Sequence, residues 1–145
     1  MDGPTNVSGT GVQEAGTAPT VLVVDDLPMI LGLVEAFLTS SGFRVLVAGS
    51  GRQALDVCHR VEGRIDLLLT DVRMPDMNGP QLYRRVQARY PLTRVLFMSS
   101  FDAFELAKLG MPAGTALLAK PFGSAELLQR LRGTMAAAPE LAWIV

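Results

Sequence analysis

The sequence predicts an α/β domain, in which helices cover both faces of a doubly wound parallel sheet of five strands. Two observations support this prediction. Short apolar runs rich in branched residues alternate with longer segments whose apolar residues recur every three or four positions. Most of these short runs end on a polar or charged residue. Strands that alternate with helices form parallel sheets, because each helix is the crossover between two strands.

Five apolar segments are predicted as strands. The first, TVLVV, consists almost entirely of branched residues, and the third is apolar from Ile65 until it reaches Thr70 and Asp71. A short apolar run bounded by turn residues is typical of a strand buried on both faces, so the third segment is expected at the centre of the sheet. The five predicted strands are residues 20–24, 43–48, 65–69, 94–98 and 115–119.

A helix is predicted after each strand. Pro28 suits the first turn of the first helix, and Gly42 ends that helix. Ser50 and Ser124 are predicted to cap the second and fifth helices. The third helix begins near Gly79 and ends before Pro91, and the fourth is short, covering residues 102–109. In the first helix a predicted inward face is formed by Ile30, Leu33, Val34, Phe37, Leu38 and Ser41.

Composition limits the organisation of the chain. Its 145 residues suit one domain, predicted at residues 19–134 between a flexible N-terminal tail, residues 1–18, and a C-terminal tail, residues 135–145. The formal net charge is −1 without a basic block, and the last residues are too few for a DNA reader, so direct nucleic-acid binding is not expected. No apolar run reaches the length of a membrane span. The lone Cys58 fits a reducing, cytoplasmic setting.

Residues able to do chemistry follow four of the five predicted strands. The first ends on Asp25 and Asp26, the third on Asp71, the fourth on Ser99 and the fifth on Lys120. Parallel strands bring these ends to one edge of the sheet, where ligands of such folds bind. Clustered carboxylates repel one another, and a hard cation with room for water, Mg²⁺, relieves that repulsion. A carboxylate nucleophile with a metal, a lysine and a hydroxyl indicates phosphoryl transfer.

Four motifs in order, VVDD, LLLTDVRMPDMNG, VLFMSS and LLAKPF, resemble the response-regulator receiver domain of two-component signalling. The resemblance covers residues 20–134 and implies a flavodoxin-like fold with strand order 2-1-3-4-5. It also implies that a histidine kinase or a phosphotransfer protein phosphorylates Asp71. Mg²⁺ would be bound directly by Asp26, Asp71 and the backbone carbonyl of Arg73, and by Asp25 through water.

The resemblance extends to the phosphoryl group and to the output. Ser99 and Lys120 would contact the phosphoryl oxygens, and Pro121 would follow a cis peptide bond. Leu117 stands where many receivers carry an aromatic switch residue. A downstream protein is expected to bind the surface from Asp102 to Met135, because Ser99 and Lys120 connect that surface to the phosphoryl group.

Alternative functions remain open beside this signalling domain, which is not expected to be an enzyme that acts on a separate substrate. An aspartate-nucleophile hydrolase needs a second acid two residues after the nucleophile, where this chain has Arg73, or Leu27 after Asp25. A phosphorylation-independent pseudo-receiver is disfavoured because the site residues are all present. The chain is equally compatible with a stand-alone receiver and with a receiver fragment of a hybrid histidine kinase.

Overall fold

The computed structural model describes residues 18–100, 102–112 and 114–137. The strands are β1 (Thr20–Val24), β2 (Arg44–Ala48), β3 (Leu67–Asp71), β4 (Arg94–Ser99) and β5 (Leu117–Ala119). The helices are α1 (Pro28–Ser40), α2 (Gly51–Arg60), α3 (Gly79–Arg89), α4 (Ala103–Ala107) and α5 (Ser124–Ala136). The predicted N-terminal tail lies outside the described residues except for Ala18, and so does the C-terminal tail beyond Ala137.

The strands form one parallel sheet in the order β2-β1-β3-β4-β5. This confirms the predicted doubly wound flavodoxin-like fold. Strand β3 lies at the centre, and Leu67, Leu68 and Leu69 are all fully buried. Side chains alternate between the two faces of a strand, so Leu68 packs in one core cluster and its two neighbours pack in the other. Helices α2, α3 and α4 contribute to the first cluster, and α1 and α5 contribute to the second.

The ends of the helices are partly as predicted. Pro28 begins α1, and the Ser50 hydroxyl accepts a hydrogen bond from the backbone N–H of Gln53 at 3.1 Å, which caps α2 as expected. Ser124 is not a cap, because the helix already begins at that residue and Gly123 is the N-cap. Backbone conformation at Gly123 sets this boundary, so the prediction placed the cap one residue too late.

Further predictions needed correction. Strand β3 covers Leu67–Asp71 rather than residues 65–69, because its pairing with the neighbouring strands begins at Leu67. Leu33 is 50 % exposed rather than turned into the core, because α1 buries only the narrow stripe of Val34 and Leu38 completely. Strand β5 covers Leu117–Ala119 rather than starting at residue 115, and α4 ends at Ala107 instead of residue 109. Both short elements lie toward one edge of the sheet, where fewer neighbours extend a regular structure. None of the helices in the described part of the chain has the length and apolar character of a membrane span.

Gly79, the first residue of α3, packs against the end of the central strand so closely that there is no space for a side chain. A Cβ at this position would lie 2.7 Å from the backbone oxygen of Asp71 and 3.0 Å from two ring atoms of Phe97. Gly79→Ala is therefore expected to destabilise the protein by about 1–3 kcal/mol, measured as the midpoint of urea unfolding.

The control for that substitution is Gly32→Ala in α1. Nothing lies within 4 Å of the position a Cβ would take at Gly32, which is exposed in the middle of the helix. Because alanine is the better helix former, Gly32→Ala is expected to stabilise the protein by about 0.5–1 kcal/mol. Equal effects of the two substitutions would show that the close approach at Gly79 has no energetic consequence.

Candidate functional site

The candidate site lies at the carboxyl edge of the sheet. Val24 of β1 pairs with Thr70 of β3, so the residues that follow them, Asp25 and Asp71, are level with each other. Strand β4 ends at Ser99, whose backbone oxygen accepts a hydrogen bond from the backbone N–H of Lys120 at 2.9 Å. The predicted strand-end residues are therefore brought to one place by the parallel register.

Asp25 is the fixed acid of the site. It is fully buried, and its Oδ1 accepts a hydrogen bond from the backbone N–H of Leu27 at 2.9 Å. Its Oδ2 accepts a charge-assisted hydrogen bond from Lys120 Nζ at 3.0 Å. Both oxygens are satisfied, as a buried carboxylate requires. Because Asp25 is buried and hydrogen-bonded through both oxygens, it holds the Lys120 ammonium in the site.

Asp71 shares the same lysine but is less tightly held. Its Oδ2 lies 3.5 Å from Lys120 Nζ. Burial raises the pKa of the Asp71 carboxyl above its ordinary value, and the nearby Asp25 adds to this, although Lys120 and the Arg73 N–H act in the opposite direction. Ionising the Asp71 carboxyl therefore costs more free energy than in water, and a further positive charge nearby would lower that free energy.

The raised pKa of Asp71 predicts a pH-dependent cost to stability. The unfolded chain ionises near the ordinary value of 3.8 and the folded protein only at higher pH, so folding is penalised increasingly as the pH rises between the two values. Asp71→Asn removes this penalty. We expect the variant to be more stable than the wild type near neutral pH, and the difference to shrink as the pH falls through about 4. Urea unfolding in EDTA across that range measures it; a pH-independent difference would contradict it.

Three carboxylates lie close enough to hold one metal ion. Asp25, Asp26 and Asp71 each offer an oxygen, and these oxygens all lie within 4.8 Å of one another. Asp26 is exposed whereas Asp25 is buried, so the cluster opens to solvent on one side. An all-oxygen donor set with room for water suits Mg²⁺. The donors present therefore fit the predicted ion.

The loop after β3 carries Arg73 and is fixed at its base. The backbone N–H of Val72 donates to the oxygen of Met98 at 3.1 Å, and the N–H of Gly79 donates to the oxygen of Val72 at 2.8 Å. Arg73 is exposed between these base contacts and the tip of the loop.

Asp76, at the tip of that loop, is a residue whose role the sequence did not reveal. Its two carboxylate oxygens accept hydrogen bonds from the backbone N–H groups of Gly51 and Arg52 at the start of α2. Burial alone would raise the pKa of Asp76, but these two hydrogen bonds, together with those from the backbone N–H groups of Asp76 itself and Met77, outweigh it and the pKa is lowered. An aspartate in a turn-rich loop usually bonds its own backbone, so no local signal pointed to a helix 25 residues away.

The other predicted positions surround the acids and the lysine. Ser99 is almost completely buried at the end of β4, and the peptide bond between Lys120 and Pro121 is cis, as the family resemblance implied. Leu117 is partly buried against the core cluster below α4. A cavity of about 360 Å³ lies beside Lys120. It is lined by Ile30, Leu33, Val34, Ser100, Lys120, Pro121 and Phe122.

Comparison with known proteins finds relatives along most of the chain. The model of the response regulator receiver domain matches residues 21–132. The probable transcriptional regulatory protein TcrX of Mycobacterium tuberculosis is 34% identical over 121 residues, covering 83% of this chain and 51% of TcrX. The sensor kinase CckA of Brucella abortus is 36% identical over 115 residues, covering 78% of this chain and 12% of CckA.

Solved structures show the same fold. The chemotaxis protein CheY4 of Vibrio cholerae superimposes with a TM-score of 0.73 at 31% identity, covering 81% of this chain and 99% of CheY4. The receiver domain of the hybrid histidine kinase CckA superimposes with a TM-score of 0.68 at 28% identity, covering 80% of this chain and 98% of that domain. The chain thus spans about half of TcrX and a small part of the CckA kinase, but nearly all of each of these two solved chains.

Proposed function

Because the chain belongs to the response regulator receiver domain family of two-component systems, we propose that it is phosphorylated on Asp71 by a histidine kinase or a phosphotransfer protein. The observation that carries this proposal is the position of Asp71. It stands at the end of the central strand, with a lysine ammonium 3.5 Å from its carboxylate and two further acids beside it. Asp25 has the same neighbours, but it is fully buried and accepts hydrogen bonds through both of its oxygens, whereas Asp71 is partly exposed.

The proposed reaction transfers a phosphoryl group between two side chains. The N–P bond of a phosphohistidine on the partner breaks while an O–P bond forms to an Asp71 oxygen. The histidine carries a proton on its other ring nitrogen and so leaves as a neutral imidazole. Asp71 must be ionised to attack. Burial and the neighbouring Asp25 raise the pKa of the Asp71 carboxyl, so added positive charge at the site would favour the ionised form. Mg²⁺ held by Asp25, Asp26, Asp71 and the carbonyl of Arg73 would supply charge for the phosphoryl oxygens.

Lys120 provides the second positive charge. Its ammonium lies between Asp25 and Asp71, at 3.0 and 3.5 Å from their Oδ2 atoms. After transfer, negative charge moves outward from the Asp71 carboxylate to the phosphoryl oxygens, and the ammonium can follow it while Asp25 still anchors the side chain. Ser99 is proposed to donate a hydroxyl hydrogen bond to the same group. Movement of these two residues is how phosphorylation would reach the rest of the domain.

The proposed output is binding of a protein to the surface from Asp102 to Met135. Ser99 directly precedes the segment that leads to α4, and Lys120 directly follows β5, so both flanking elements connect to the site. A cavity of about 360 Å³ separates α4 from β5, and Phe104 on α4 is 71 % exposed. A switch from mostly off to mostly on would need about 5.5 kcal/mol of differential stabilisation. The proposed output does not involve direct binding of nucleic acid. The proposed setting is the cytoplasm.

A second candidate places this receiver within a longer signalling protein. The chain spans 51% of TcrX and 12% of the CckA kinase, so relatives carry such a domain as one part of a larger chain. The chemistry at Asp71 would be the same. In that case a kinase or output domain would be part of the same chain instead of binding from solution.

The test of the proposed function is phosphorylation by a small donor. Incubation with acetyl phosphate and Mg²⁺ is expected to raise the intact mass by one phosphoryl group, and EDTA is expected to prevent the gain. A wild-type protein that gains no mass in Mg²⁺, while a known receiver treated in parallel does, would contradict the proposal.

A further inference from the structure

The loop after β3 is attached to a second helix as well as to its own. Asp76 accepts hydrogen bonds from the backbone N–H of Gly51 at 3.2 Å, through Oδ1, and from the N–H of Arg52 at 2.8 Å, through Oδ2. These donors belong to the first turn of α2, whose N–H groups have no partners inside the helix. One carboxylate therefore satisfies both donors and holds the loop tip against α2.

The neighbouring residue strengthens this attachment by packing. Gly51 is buried, and the Met77 side chain lies directly against its Cα. A Cβ on Gly51 would overlap Met77 Cγ and lie 2.6 Å from its Sδ. A larger residue at position 51 would therefore push the loop tip away from α2. The hydrogen bonds of Asp76 and the packing of Met77 form one contact, the loop clamp.

The loop clamp has a defined relation to the proposed metal site. The base of the loop is fixed by backbone hydrogen bonds of Val72 with Met98 and Gly79, and the tip is fixed by Asp76 and Met77. Arg73 lies between base and tip and is exposed. Its carbonyl is the one proposed metal ligand that comes from the backbone, so its direction depends on how both ends of the loop are held.

We propose that Asp76 is a positioning residue for the metal site, which fixes the Arg73 carbonyl by clamping the loop tip to α2. This inference rests on the proposed function and names a residue outside the acidic cluster. Groups that orient metal ligands without touching the metal are commonly worth 10–100-fold in affinity. Removing Asp76 is expected to act at the lower end of that range, because the base of the loop and the carboxylate ligands stay in place.

The experiment is calorimetric titration of the metal-free protein with MgCl₂ for the wild type, Asp76→Ala and Ser50→Ala. Ser50 is a matched control, because its hydroxyl also caps α2, but through the N–H of Gln53 within the helix itself. Both variants lose a cap of the same helix and should lose similar stability in urea unfolding. We expect Mg²⁺ affinity to fall about tenfold in Asp76→Ala and to be unchanged in Ser50→Ala.

Two further variants keep the inference falsifiable if Asp76→Ala folds poorly. Asp76→Asn retains one acceptor oxygen and should recover part of the affinity, and Gly51→Ala keeps Asp76 but displaces Met77 and should lower the affinity. Mg²⁺ affinities that match Ser50→Ala in every folded loop-clamp variant would overturn the inference while leaving the proposed function intact. A wild-type protein that binds no Mg²⁺ would instead overturn the proposed function, and this inference with it.

Discussion

Lys120→Ala is expected to destabilise the metal-free protein by about 3–5 kcal/mol. Lys120 donates to Oδ2 of Asp25, which is fully buried, and the same ammonium lies 3.5 Å from Asp71. Removing it leaves a buried carboxylate without its charged partner and two acids facing each other across the site. The Leu27 N–H satisfies only the other oxygen of Asp25. A buried pair that loses one member costs more than the pair itself contributes.

Urea unfolding in EDTA and in excess Mg²⁺ measures the effect of Lys120→Ala. The control is Lys108→Ala, which removes the same charge from an exposed lysine stacked on Phe104 at 4.7 Å and should cost less than about 1 kcal/mol. Mg²⁺ is expected to recover part of the stability of Lys120→Ala, because a cation bound to the folded state replaces the missing positive charge. Equal stabilities of the two variants in EDTA would contradict this account of the buried pair.

Asp26→Asn is expected to weaken Mg²⁺ binding by about 100-fold or more, the effect of losing one charged ligand of a small oxygen site. Asp26 is the exposed member of the cluster and lies within 4.8 Å of the other two acids through its ligand oxygen. Its removal also relieves repulsion, so the metal-free variant should be no less stable than the wild type.

Calorimetry with MgCl₂ checks the expected effect of Asp26→Asn, with Asp56→Asn as the charge-matched control. Asp56 is exposed on α2 and is not a member of the acidic cluster, so its variant should bind Mg²⁺ as the wild type does. Retention of wild-type affinity in Asp26→Asn would mean that this carboxylate is not a metal ligand.

The sheet and the strand-end residues could be predicted because their signals are local. Each buried strand is a short apolar run, and the polar residue that ends the run marks the carboxyl edge where a parallel sheet gathers its site. Val24 pairs with Thr70 in the observed register, so Asp25 and Asp71 meet as that argument required. The acidic cluster is thus a direct consequence of strand order.

Features that depend on packing between distant segments could not be predicted in the same way. Leu33 follows the apolar spacing of α1, yet it is half-exposed because the sheet covers only a narrow stripe of that helix. Asp76 reads as an ordinary turn residue, and only the approach of α2 to the loop gives it two partners. The cap of α5 was misplaced because Gly123, which has no side-chain acceptor, takes the extended conformation that Ser124 was expected to take.

Asp71 as phosphoacceptor is the central claim, and locating the phosphoryl group on the chain tests it most directly. The protein phosphorylated by acetyl phosphate would be treated with borohydride, which reduces an aspartyl phosphate to homoserine, and then digested and sequenced by tandem mass spectrometry. The predicted result is homoserine at position 71 and at no other aspartate, and no reduction product in Asp71→Asn. Homoserine at position 25 or 26 in the wild type, or a phosphoryl group that persists in Asp71→Asn, would contradict the claim.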